Sequence, residues 1–158
     1  MGFSVSASAA IIFISFLVAA TTLYTAWDNS YANVQAARED WYNLRLSQVH
    51  FDVGNVGVVA SGTSDVTVTF TYMGQTITGN VVVLHNGSYA SSADLGYLIP
   101  NDNYAVTVNG GADTSGIANY AALGFDNGCI LLVTYHYDTA TGEYVTDAYS
   151  VQCPLEVS

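Results

Sequence analysis

The chain has 158 residues and sets 13 acidic side chains against two basic ones, Arg38 and Arg45, with no lysine. A surface this poor in cations cannot neutralise phosphates, which excludes nucleic acid as a partner and disfavours an anionic lipid surface. Two cysteines, Cys129 and Cys153, are too few for a disulfide scaffold and suit one bridge outside the cell.

From Gly2 to Ala26 no charged residue appears, and Ile11, Ile12, Phe13, Ile14, Phe16, Leu17, Val18 and Leu23 crowd together. A bilayer core of about 30 Å needs about 20 apolar residues in a helix, and this run supplies them. A cleaved secretory signal would need a basic start and a shorter apolar stretch, and this chain has neither. The Gly2–Phe3 junction looks like the cut site of a pilin leader. The basic leader and the early glutamate of a pilin helix are missing, so the start reads as largely unprocessed.

The helix is expected to continue beyond the apolar run. Tyr24, Trp27, Tyr31, Val34 and Trp41 recur at spacings of three, four or seven, interrupted by Arg38, with Asp28, Asn29, Asn33, Gln35 and Glu39 between them. No proline occurs before Pro100 and no glycine between Gly2 and Gly54, so nothing breaks the pattern until it changes near Leu46. About 40 residues at about 1.5 Å each make a rod of roughly 60 Å, twice the bilayer core. Its stripe packs either on neighbouring copies, in a bundle or filament, or on the chain's own C-terminal domain. The candidate assembly residues are Phe3, Ile11, Ile12, Phe16, Leu17, Leu23, Tyr24, Trp27, Tyr31, Val34 and Trp41. Tyr24 and Trp27 also suit a membrane interface. Lysine and arginine do not fix the orientation; a disulfide, a sequon and an acidic domain favour the C-terminal part outside.

From Ser47 the period changes to two, which divides the chain into a helix over 1–46 and a β domain over 47–158. Gln48–Val53 reads as a strand leaving the helix. Val66, Val68, Phe70 and Tyr72 alternate with Asp65, Thr67, Thr69 and Thr71, the pattern of a half-buried strand. Met73 and Gly74 offer a tight turn into a strand over 75–84, with Ile77, Val81 and Val83 lining the same core. After a turn at Asn86 and Gly87, Tyr104, Val106 and Val108 alternate again, and a last pair runs over 129–137 and 143–153. Six or seven short strands make the expected fold class α+β: a long pilin-like N-terminal helix followed by an all-β, antiparallel, immunoglobulin-like sandwich.

A last hairpin turning at Thr139–Gly142 opposes residues whose numbers sum to about 281, which brings Cys129 and Cys153 face to face within about one residue. Together they are the expected disulfide. His50, His85 and His136 show no local pairing with either cysteine, so a catalytic thiol is not expected. Asp138–Glu143 reads as a hairpin turn rather than a calcium loop, and Asp126–Gly128 as an ordinary turn. No phosphate loop, paired-carboxylate signature or nucleophile elbow occurs; no catalytic residue, metal ligand, cofactor or enzyme activity is expected. Asn86, Gly87 and Ser88 form a glycosylation sequon, with a plain turn as the alternative.

The opening Met-Gly-Phe-Ser-Val-Ser-Ala-Ser-Ala-Ala-Ile-Ile-Phe-Ile, with the apolar helix ending in Tyr-Thr-Ala and a polar stretch holding Ala-Arg-Glu-Asp, resembles the archaeal flagellar accessory proteins FlaF and FlaG, leaning toward FlaF. These are stator components of the archaellum, the rotating archaeal motility filament. Residues 83–110 are similar to a hairpin of that family's sandwich domain. The resemblance implies a helix in the cell membrane and a β-sandwich beneath the surface layer, with the surface-layer protein and other archaellum subunits as partners. Torque would pass mechanically from the sandwich through the helix to the membrane complex. Residues 111–151 exceed what a minimal stator domain needs, which leaves an archaellin or pilin subunit of a surface filament as one alternative. A membrane-tethered β-sandwich binding an extracellular ligand, with 12 tyrosines available, is another.

Overall fold

The computed structural model describes residues 2–154, with side chains from Ser4 onward. The chain divides into two compact units, Met1–Asn43 and Leu44–Ser158. The first unit is helical. Helix α1 runs Gly2–Val49, 48 residues without a break, about 70 Å at about 1.5 Å per residue. Its last turn, from Leu44, belongs to the second unit.

The helix outlasts the expected end at Leu46, and the strand expected over Gln48–Val53 does not form until its last residue, where β1 begins. The Ser47 hydroxyl donates to the Leu44 carbonyl at 2.7 Å and the His50 amide to the Leu46 carbonyl at 3.1 Å, which extends the helical pattern by a turn. The side chains of Ser47 and Gln48 are buried there. The period of two that begins at Ser47 is therefore not a strand; it marks the junction.

The second unit is a two-layered antiparallel sandwich of eight strands. The strands are β1 (Val53–Ser61), β2 (Asp65–Tyr72), β3 (Ile77–His85), β4 (Ser88–Leu98), β5 (Asp102–Val108), β6 (Asn119–Phe125), β7 (Ile130–Asp138) and β8 (Glu143–Gln152). One sheet has the order β1-β2-β5 and the other β4-β3-β6-β7-β8. β2 follows the expected alternation: Val66, Val68, Phe70 and Tyr72 are buried while Asp65, Thr67, Thr69 and Thr71 are half-buried. Its partner in the core is the inner face of β3, β6 and β7, led by Val81, Val83, Leu123, Leu131, Val133 and Tyr135.

Met73 and Gly74 do not close a hairpin. β2 pairs with β1 and β5, β3 pairs with β4 and β6, and the Met73–Gly74 link carries the chain from one sheet to the other. A side chain at Gly74 would place its Cβ 2.5 Å from the His50 carbonyl, so the crossing runs against the junction too closely for any other residue. The hairpin lies at Asn86–Gly87, where both residues have positive φ, 49° and 84°, as a type I′ turn requires.

Two buried hydroxyls fasten the layers. Tyr72 donates to the Gln75 carbonyl, and Tyr135 donates to the Gly111 carbonyl at 2.8 Å. Burial, and then the neighbouring Tyr104, push Tyr72 up to about 12; burial, then Tyr144 and Asp113, do the same to Tyr135. An unfolded tyrosine releases its proton near pH 10, so above that pH the unfolded chain sheds protons that the fold retains. Stability is thus undiminished by these groups below about pH 10 and falls as pH rises toward 12. The expected outcome is an unfolding midpoint that drops across that window, and a shallower drop in Tyr72→Phe/Tyr135→Phe. At neutral pH each lost hydrogen bond costs about 1 kcal/mol. Circular dichroism during thermal unfolding at a series of pH values measures both.

Candidate assembly surface

Every described side chain from Ser4 to Leu44 is exposed, including Ile11, Ile12, Phe16, Leu17 and Leu23. The helix is long and apolar enough to cross a membrane by length and composition. The side chain of Phe3, the remaining candidate at this end, lies outside the described ones.

The hydroxyls of the apolar half satisfy themselves. Ser8 donates to the Ser4 carbonyl, Ser15 to that of Ile11, Thr22 to that of Ala19 and Thr25 to that of Thr21, all at 2.8–3.0 Å. Such back-bonding leaves no orphan donor when the helix enters apolar surroundings, where an unpaired hydroxyl would cost about 1–3 kcal/mol.

Beyond the apolar run, Tyr24, Trp27, Tyr31, Val34 and Trp41 form one face; Trp27 is 67% exposed and Trp41 61%. The rings are partly ordered by one another. Trp27 and Tyr31, four residues apart, stack with centroids 5.9 Å apart and planes at 21°. The Gln35 amide then donates to the Tyr31 hydroxyl at 2.8 Å. This ladder along i, i+4 and i+8 presents a flat aromatic strip.

The second unit receives the helix end through the turn Asp126–Gly128. The Gln48 amide donates to the Asn127 carbonyl at 2.7 Å, and the Asn127 amide to the Ser47 carbonyl at 3.3 Å. Asn127 Oδ1 accepts from the Cys129 amide at 3.1 Å. Phe51 packs beside this joint on Phe125 and Tyr72, at centroid distances of 4.9 and 5.5 Å. Sequence reading saw only a turn here. The signal it had was a buried-type polar pair, Ser47 and Gln48, at the helix end.

Cys129 and Cys153 are joined, with Cα atoms 4.1 Å apart. Near the turn Asp138 opposes Glu143, a sum of 281, but Ile130 opposes Gln152, a sum of 282. A bulge between Thr134 and Tyr135 inserts the extra residue that carries the register onto Cys129 and Cys153. The Asp138 carboxylate caps the hairpin, held below its usual range by the Ala140 amide and then the Thr141 hydroxyl.

Asn86, the sequon asparagine, is exposed, yet its amide braces β3 against β6. Its Nδ2 donates to Asn119 Oδ1 at 2.9 Å, and its Oδ1 accepts from the Tyr120 amide at 3.0 Å. The histidines do not converge. His136 Nδ1 meets the Asp147 carboxylate at 2.8 Å on the sheet's outer face, while His85 stacks on Tyr135. Asp126 is held below its usual range first by Thr78 and then, against desolvation, by Asn80. Among the described residues no group of three or more His, Cys, Asp or Glu is placed to hold a metal ion.

A family model described as archaeal-type flagellin matches residues 2–128. The matched span holds α1 and β1 through β6; β7, β8 and the disulfide lie outside it. The match supports an archaellum-related protein and does not single out the FlaF or FlaG accessory proteins. No curated protein and no solved structure matches the chain.

Because Cys129 and Cys153 close a loop with a sequence separation of 24, their bridge restricts the unfolded chain. Loop-closure entropy puts the loss on reduction at about 3.5 kcal/mol. Unfolding in denaturant with and without reductant should show this loss in the wild type and none in Cys129→Ala/Cys153→Ala, with a mass gain of about 2 Da on reduction of the wild type alone.

Proposed function

The chain belongs to the archaeal-type flagellin family, and on that premise we propose that it is a structural subunit of an archaeal surface filament. In this reading residues 1–46 are the assembly arm, packed with other copies into the filament core, and 47–158 form the domain displayed outside. Partners are further copies and other archaellum subunits. The membrane holds the apolar helix before assembly.

The observation that carries the reading is the family match over both the helix and most of the sandwich. Helix length supports it. A bilayer covers about 20 residues of a helix, whereas exposed rings continue from Tyr24 to Tyr42. Lipid alone leaves that aromatic face in water; packed helices cover it. The stator role, with a surface-layer partner, has no separate observation in its favour.

Electron microscopy of the full-length protein after detergent removal should show long ordered filaments with the helices at the centre. Trp27→Ala should raise the concentration needed for filaments at least about tenfold, the effect of about 1.4 kcal/mol lost per contact, while the sandwich's unfolding midpoint stays unchanged. Particles that never elongate, together with binding of surface-layer protein, would return the stator reading. Intact mass of the native protein tells whether the chain begins at Met1 or Phe3, and processing would favour a filament subunit over an anchored stator.

A further inference from the structure

The helix has two unlike faces, and Arg38 and Asp40 fall one on each, while its other acids, Asp28 and Glu39, lie on neither. At about 100° of rotation per residue, Tyr24, Trp27, Tyr31, Val34, Arg38 and Trp41 fall within one arc of about 100°. A second arc of about 60°, centred about 120° around the helix from the first, holds Ser15, Ala19, Thr22, Ala26, Asn33 and Asp40, all exposed. Arg38 therefore sits among the rings and Asp40 among the small residues, on nearly opposite sides of the helix.

Neither charge has a mate within its own helix. Arg38 has Val34, Gln35, Trp41 and Tyr42 at the three- and four-residue spacings, and Asp40 has Ala36, Ala37, Asn43 and Leu44. Of the two cations in the chain, Arg38 is the one within the first unit. A cation held amid exposed aromatic rings, with no acid three or four residues away along the helix, is suited to an anion supplied by another molecule.

Two identical faces do not fit together. Aromatic face on aromatic face sets Arg38 beside Arg38, and small face on small face sets Asp40 beside Asp40. Aromatic on small brings opposite charges together and lets the rings lie against alanine and serine, where backbones approach closely. Arg38 and Asp40 differ by about 3 Å along the axis, so parallel helices with little stagger bring them within side-chain reach.

We propose that neighbouring copies pack in parallel with the Tyr24–Trp41 face of one helix on the Ser15–Asp40 face of the next, staggered by no more than about one turn, and with Arg38 of one copy paired to Asp40 of the other. The inference rests on the filament reading above and names the contact that builds it. Because the contact joins unlike faces, each added copy leaves one face of each kind open, and growth continues instead of closing at a dimer.

The test uses full-length Arg38→Glu, Asp40→Arg, the double exchange and an equimolar mixture of the two single variants, each followed by sedimentation and electron microscopy after detergent removal. Each single variant should need at least about tenfold more protein to form filaments, a penalty that shrinks in high salt. The double exchange restores the pair within every contact. The mixture restores it between alternating copies, since one variant then has acid on both faces and the other base on both. Both should assemble within about twofold of wild type. Single variants that assemble like wild type, or a double exchange and mixture that stay unassembled with helix content intact, overturn the pairing. A wild type that forms no filaments overturns the filament reading itself, which separates the two failures.

Discussion

The helix cannot be a finished structure by itself, and this constraint governs the rest. The eight large apolar side chains from Ile11 to Leu23 are all exposed. At roughly 1.5–3 kcal/mol each, leaving them in water forfeits roughly 12–24 kcal/mol, more than a typical domain's whole stability of about 5–15 kcal/mol. Lipid or partner helices must cover them. The back-bonded hydroxyls of Ser8, Ser15 and Thr22 then make the same surface compatible with either cover.

The sandwich answers a different requirement. Its β2 and β7 are built in the usual way, with alternating residues directed inward and outward. β6 alternates as well, with Asn119, Ala121, Leu123 and Phe125 buried and Tyr120 exposed, except that Ala122 is covered on the outer face because the strand lies in the middle of the larger sheet. The β7–β8 hairpin supplies Leu131, Val133 and Tyr135 to the core. The length beyond residue 110 that exceeds a minimal stator domain is therefore part of the fold and not an addition to it.

What could be read from the sequence follows from where each element gets its stability. α1 was legible because its signal is local: an unbroken period without glycine or proline. β2, β5 and the last hairpin were legible because one face is wet and the other dry. β4 and β6 were not. β4 is an edge strand rich in Ser, Ala, Asp and Gly whose register shifts twice against β3, so it has no clean alternation; β6 hides its alternation because inward Asn119 is polar while outward Tyr120 and Ala122 are not. β1 was missed for the glycines at 54 and 57 that carry its bulge, and the sheet assignment of β3 because Met73–Gly74 imitates a turn. In the assembly surface, the aromatic face was visible in the spacing of Tyr24, Trp27 and Tyr31. The Asn127 joint was not, since it links residues 79 and 80 positions apart through main-chain carbonyls.

That joint sits beside the disulfide. The last turn of α1 is held to the loop Asp126–Gly128 by the hydrogen bonds of Ser47 and Gln48 to Asn127. The loop is closed by the Gly128 amide to the Phe125 carbonyl and by the Phe125 amide to the Cys129 carbonyl, both at 2.9 Å. Cys129, fully buried, is then tied to Cys153 at the end of β8, across the sheet edge. The bulge at Thr134 and Tyr135 is what brings the two cysteines opposite each other. A register slip in the last hairpin would separate the cysteines and leave the receiving loop fastened on one side only, so bulge, bridge and helix end act as one unit.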